Sequence, residues 1–274
     1  MRREIWIGVA AAAVILGGLF VYAYWQRSAD TAEPPPASAE TIVEAADGGK
    51  IQYPVPDVPP TEPALPSLAD SDKPFHEALT ALFGTVPIES FLIPKLIIQK
   101  TVVTLNSLDG QIVPLRLWPL ANVPKLPVVD IGTDGSMTLS ADNSQRYARY
   151  VAAVKAVDAK ALAQMYLHYY PLFQQAYVEL GFPDRYFNDR LISVLDHLLL
   201  APEVEGPIRL KRPKVLYEYE SYDLESLSAG QKLLIRMGAQ NAAIVKDKIK
   251  QFRDAVAAAS SPGPEVSGNA ERIP

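Results

Sequence analysis

Residues 158–180 read DAKALAQMYLHYYPLFQQAYVEL, and this stretch decides the fold class. Leu162, Tyr166, Tyr169, Phe173, Ala176, Tyr177 and Leu180 recur at the spacing of one face of an α-helix, while Gln164, His168, Gln175 and Glu179 fall opposite. A helix with so broad an apolar and aromatic face must be covered by other elements. Pro171 removes one backbone hydrogen bond inside it and predicts a kink near His168–Tyr170. Gly181-Phe182-Pro183 supplies a helix stop followed by a proline.

Outward from this segment, helical spacing recurs over 141–157, from about Phe187 to Leu200, and from Ser228 to Ala258. The last of these opens with Ser228-Ala229-Gly230-Gln231, a capping-box spacing, and carries Gly238, whose low helix propensity predicts a close neighbour there. On the N-terminal side, Phe75, Ala78, Leu79, Leu82 and Phe83 mark a helix that starts at the potential caps Asp70-Ser71-Asp72 and ends at Gly84. A second apolar run spans Ile88–Leu105, and Pro94 either kinks it or marks its true start. Residues 106–140 are rich in Pro, Gly and Asp, with a strand pair expected around Val128–Leu139; Pro207–Tyr219 alternates like one or two further strands, with Pro213 favouring an edge. The expected fold class is mainly α, an irregular helical bundle with a small β-hairpin or strand pair.

Two other regions precede this domain. Ile5–Trp25, IWIGVAAAAVILGGLFVYAYW, carries no charge, and at ~1.5 Å per residue it is long enough for the roughly 30 Å hydrocarbon core of a bilayer. Trp6 at one end and Tyr22, Tyr24 and Trp25 at the other suit the two interfaces. A cleaved secretory signal has a shorter apolar core and a small-residue site after it, whereas this span runs into Tyr-Trp-Gln-Arg. The expectation is an uncleaved anchor contacting the bilayer through residues 5–25. Arg2 and Arg3 precede the span, and acids follow Arg27 on the other side, so the positive-inside rule puts the N-terminus in the cytoplasm and the rest across the membrane.

Residues 28–69 follow as a Pro-, Ala- and acid-rich stretch without helical or strand period, the composition of an extended, disordered linker. This is where the acidity of the chain resides. The formal net charge is -5, yet residues 28–72 hold one lysine against nine acids, so the domain beyond is close to neutral. A basic nucleic-acid footprint is absent from the sequence, and no nucleic-acid partner is expected. The resulting division is an anchor over 1–27, a linker over 28–69, a helical domain over 70–258 and a disordered tail over 259–274.

The strings YYPLFQQAYVELGFPDRYFNDRLISVLDHLLLAPE (169–203) and LSAGQKLLIRMGAQNA (227–242) resemble the bacterial family known as domain of unknown function 3014. VVTLNSL (102–108) resembles its first block more weakly, through Asn106. The resemblance runs from about Asp70 to Val256. It implies an envelope protein of Gram-negative bacteria with one N-terminal anchor, and it implies no activity.

Chemistry leaves few marks. The chain has no cysteine, so thiol nucleophiles and thiolate metal sites are excluded, and His76, His168 and His197 are too scattered for a His-based zinc motif. No glycine-rich phosphate cradle occurs, and the sequence calls for no cofactor or metal. Asp189, Ser193 and His197 are spaced i, i+4 on one helix, which puts Ser between acid and base with no oxyanion donor; a polar helix face accounts for them better than a relay. The polar residues within the family-like strings are the better candidates for ligand or partner binding: Asn188, Arg190, Gln231, Arg236 and Asn241, with Asp189 and Gln240 beside them. They suit either the satisfaction of buried backbone groups or, for Arg190 and Arg236, an anionic group in a cleft. The basic run Arg209, Lys211, Arg212, Lys214 reads as a solvated strand edge.

These readings converge on an inner-membrane protein with a periplasmic helical domain that binds or scaffolds another envelope protein or a cell-wall component. The alternative is a periplasmic hydrolase that uses carboxylates such as Glu179, Asp189 or Asp196.

Overall fold

The computed structural model describes residues 51–56, 64–121, 123 and 127–260. The expected anchor over 5–25, linker residues 28–50 and 57–63 and residues 261–274 lie outside these residues; of the tail expected over 259–274, only Ala259 and Ser260 are described, and they are helical. Among the described residues no helix is long and apolar enough to cross a membrane.

The seam helix forms as expected. It is α5 in chain order, Ala159–Glu179, with Asp158 as its N-cap accepting from the Ala161 amide at 2.8 Å. It continues through Pro171. Before it come α1 (Asp72–Phe83), α2 (Thr85–Phe91), α3 (Ile97–Ser107) and α4 (Ala148–Ala156). After it come α6 (Phe187–Leu199), a short α7 (Tyr222–Glu225), α8 (Ala229–Arg236) and α9 (Ala239–Ser260). Helix α9 lies across α4, α5 and α6, and α3 lies against α5. Phe75 of α1 meets Tyr169 and Phe173 edge-on with ring centroids 4.9 and 5.7 Å apart, and Phe187 of α6 stacks on Phe173 at 5.8 Å. These aromatic contacts, added to the area they bury, make α5 the centre of the core.

The structure divides three of the expected helices. The Ile88–Leu105 run is two helices, α2 and α3, separated by extended chain at Leu92; Pro94 disfavours helical backbone before it, so it marks a break and not a kink. Leu96, the last residue before α3, has φ 54°, a left-handed conformation that costs a non-glycine residue roughly 1–2 kcal/mol. Asp72 offsets that strain: its carboxylate accepts the Leu96 and Ile97 amides at 2.7 and 2.8 Å, so a carboxylate expected to cap α1 caps α3. The 141–157 segment begins as a 3-10 helix over Ala141–Tyr147 before becoming α4. The Ser228–Ala258 run breaks at Gly238, where φ is 85°. Its predicted close neighbour is also present, since a Cβ there would lie 3.2 Å from Ser144 Cβ.

The two stretches expected to hold strands join in one antiparallel sheet of order β1-β2-β3-β4: Val129–Ile131, Met137–Leu139, Arg209–Lys211 and Glu218–Tyr219. The hairpin is therefore half of a four-stranded sheet. β3, which carries Arg209 and Lys211 of the basic run, pairs on both sides and is not an edge; Arg212, Pro213 and Lys214 lie in the connection to β4. Arg209 and Lys211 face Glu220 and Glu218 at 3.9 and 3.7 Å, an exposed cross-strand pairing worth little in stability.

Two pieces of the stretch read as linker lie against the domain. The Gln52 and Tyr53 amides donate to the Asp189 carboxylate at 3.0 and 2.8 Å, and the Val55 amide donates to the Tyr186 hydroxyl at 2.8 Å. Tyr53, Val55 and Leu65 rest on the main core. Residues 51–56 thus form a strap over the start of α6.

Candidate functional site

The loop after α6 reads Leu200-Ala201-Pro202-Glu203-Val204-Glu205-Gly206-Pro207-Ile208. Two prolines and Gly206, with φ 81°, keep it from continuing the helix. It is fastened at both ends: Lys246 Nζ of α9 donates to the Ala201 carbonyl at 3.0 Å, and the Leu139 amide donates to the Ile208 carbonyl at 2.9 Å. Between this loop, the β1–β2 hairpin and the first turn of α9 lies a cleft of about 550 Å³. That is within the roughly 300–1,000 Å³ typical of small-ligand sites.

The cleft wall mixes apolar and polar groups. Leu139, Ile208, Leu234 and Ile235 supply apolar surface, while Asp130, Glu203, Gln240 and Lys246 bring charge and hydrogen-bonding capacity to it. Arg236 and Asn241, two of the five candidate residues, also line it. Arg236 is buried, its guanidinium carbon 5.6 Å from the centroid of the Tyr219 ring. Burial raises the Tyr219 hydroxyl pKa, and the neighbouring Arg236 charge pulls it back. Asn241 donates to the Ser144 and Met237 carbonyls at 3.0 and 2.9 Å and so ties the α8–α9 break to the segment before α4. Asn143 completes this corner: its side chain donates to the Arg236 carbonyl at 2.7 Å and accepts from Arg146 at 2.9 Å.

The other three candidates sit elsewhere and have structural work. Asn188 is fully buried; it donates to the Tyr53 carbonyl and Ser260 Oγ, both at 2.9 Å, and accepts from the Tyr166 hydroxyl at 3.0 Å. Arg190 grips the end of α3 and the turn after it, with a two-pronged contact to Asp109 at 2.7 Å and bonds to the Asn106 side chain and carbonyl at 2.8 and 2.7 Å. That geometry suits a guanidinium and no other side chain. Gln231 closes the capping box with Ser228 and donates to the His197 carbonyl at 3.2 Å.

The carboxylates of the hydrolase alternative are not brought together. Glu179 accepts from Gln175 at 2.9 Å, Asp189 holds the strap amides, and Asp196 takes a two-pronged contact from Arg253 at 2.9 and 3.1 Å. None of the three lines the cleft. The paper relay dissolves as well, because His197 Nε2 lies 2.9 Å from the buried Ser228 Oγ and Asp189 faces the strap. Among the described residues no group of three or more His, Cys, Asp or Glu side chains is placed to hold a metal.

Sequence reasoning missed the Asn143 hub, the strap and the ion pair of buried Lys232 with half-buried Glu225 at 2.7 Å. Asn143 lay in a stretch read as ordinary helix, and the strap contacts run from backbone amides, which leave no residue-type signal. Lys232 did leave one, since it stands on the apolar side of α8 between buried neighbours.

No curated protein and no solved structure matches the chain. One family model does, described as a protein of unknown function (DUF3014), over residues 97–253. The match begins at the first residue of α3 and ends within α9, so it takes in the cleft, the Arg190 clamp and the sheet, and leaves out the strap, α1 and α2. It covers more than half of the chain and both strings that carried the resemblance, and the chain belongs to the DUF3014 family.

Proposed function

We propose that the protein is held in the inner membrane by residues 5–25 and presents its helical domain in the periplasm. There the domain serves as a binding or scaffolding module for another envelope protein or a cell-wall component. The observation that supports this reading is the cleft between the Leu200–Ile208 loop, the β1–β2 hairpin and the first turn of α9, with apolar walls and charged or amide side chains along it. A concave surface of that composition suits recognition, since apolar area supplies affinity and a few polar groups fix orientation. The carboxylates that a hydrolase would need are each committed to a separate structural partner, which favours binding over hydrolysis.

The absence of cysteine makes location directly testable. A Gln240→Cys variant of the full chain, treated with a membrane-impermeant maleimide in cells with a permeabilised outer membrane, is expected to label before lysis. Labelling only after lysis refutes the periplasmic placement. Release of the full chain from membranes by carbonate refutes the anchor.

A further inference from the structure

A second cavity, of about 90 Å³, lies under α2 in the centre of the bundle, walled by α1, α2, α3 and α5. Its lining is apolar except for Thr101 and Tyr166, and both hydroxyls are already engaged: Thr101 donates to the Ile97 carbonyl at 2.8 Å and Tyr166 to Asn188 at 3.0 Å. A water held there would need two to four polar partners, and the lining has none to spare. A cavity of this chemistry stays dry or takes hydrocarbon; an engineered apolar cavity of roughly 150 Å³ in another protein accepts benzene or xenon.

Its wall is unusual. Ile88, Phe91 and Leu92 belong to α2 and the residue after it, a seven-residue helix bracketed by two left-handed residues, Gly84 at φ 86° and Leu96 at φ 54°. Backbone strain of this kind is concentrated at clamps and switch points. Two backbone bonds tie the far end of α2 to the neighbouring chain, Ile93 amide to Pro119 carbonyl at 2.8 Å and Ala121 amide to Phe91 carbonyl at 2.6 Å. Leu92, Thr101 and Met165, three of its lining residues, are only partly buried.

We infer that this cavity is a binding site for an uncharged hydrocarbon group no larger than a small ring or the end of an alkyl chain. The site is separate from the cleft and does not depend on it. The group comes either from a free small apolar molecule or from the chain terminus of a lipid. The lining supplies no partner for a headgroup, and the volume excludes a whole lipid.

The test reads the methionine methyl groups of the full-length chain by NMR, because Met165 lines the cavity whereas Met137 and Met237 do not. Benzene and dodecanoate are the probes. The expected result is a saturable shift of Met165 alone, lost in Leu105→Phe, which fills the cavity, and retained at lower probe concentration in Ile88→Ala, which enlarges it. A shift with benzene only assigns a small free molecule; a shift with dodecanoate assigns a chain end. If neither probe moves Met165 in the wild type and in Ile88→Ala, the inference fails. It fails equally if Met137 and Met237 move together with Met165, or if the Leu105→Phe variant responds like the wild type.

Discussion

Replacing Asn188 by alanine tests most sharply whether the polar residues of the family-like strings hold the fold or await a ligand. The side chain is fully buried and makes three hydrogen bonds, to the Tyr166 hydroxyl, the Tyr53 carbonyl and Ser260 Oγ. The three do not weigh equally. Ser260 keeps its bond to the Val256 carbonyl, and the Tyr53 carbonyl belongs to a half-buried residue that water can reach. The Tyr166 hydroxyl is stranded inside the core, at about 1–3 kcal/mol for an unsatisfied buried group. Adding the small void left by the amide, the expected loss is about 2–4 kcal/mol. For a domain of this size that lowers Tm by roughly 5–15 °C. Urea unfolding followed by far-UV circular dichroism measures it, and amide exchange at Gln52–Val55 should quicken as the strap loses its anchor. A loss under about 1 kcal/mol with unchanged exchange would refute the structural role and return Asn188 to the list of ligand contacts.

Four further outcomes follow from particular contacts. Arg190→Lys cannot reproduce the two-pronged contact to Asp109 together with the Asn106 bonds, and with both partners partly exposed the expected loss is about 1–2 kcal/mol by urea unfolding. Gly238→Ala places a side chain at φ 85° and 3.2 Å from Ser144 Cβ, so a loss of about 1–3 kcal/mol is expected from thermal unfolding. Burial pushes the Tyr147 hydroxyl up to about 12, and that hydroxyl has no hydrogen-bond partner. The folded state therefore keeps a proton that the unfolded state releases from about pH 10, and stability should fall between about pH 10 and 12, by about 2–3 kcal/mol from this residue. Tyr147→Phe should flatten this alkaline limb in unfolding curves and leave neutral-pH stability equal or higher, since it removes a buried unsatisfied group.

The helical core was legible because burial imposes a period. Phe75, Leu79 and Phe83, the α5 seam from Leu162 to Tyr177 and the capping box at Ser228 stand where the sequence puts them, whereas Leu180, read as the end of the seam, falls just past α5 and is exposed. Breaks were harder to read, because Gly238 within an apolar periodic run lowers helix propensity without saying whether the chain bends, stops or admits a neighbour. The strap was invisible for a different reason: a Pro-rich acidic composition describes a segment's average, whereas docking depends on two amides meeting one carboxylate at Asp189. Among the candidate residues the polar signal was real but mixed. Asn188, Arg190 and Gln231 satisfy the interior, while Arg236 and Asn241 do so at the border of a cleft. Arg236 and Asn241 border a cleft because the loop after α6, held at the Ala201 carbonyl by Lys246, forms its facing wall.

Site-specific photo-crosslinking in intact cells tests the cleft as the recognition surface most directly. A photoreactive residue replaces Gln240 or Glu203 in the cleft, and exposed Gln164 or Lys250 away from it serve as controls. The cleft positions should capture one discrete envelope component that the control positions do not. Capture from the control positions alone, or no discrete product from either cleft position, would contradict the proposal.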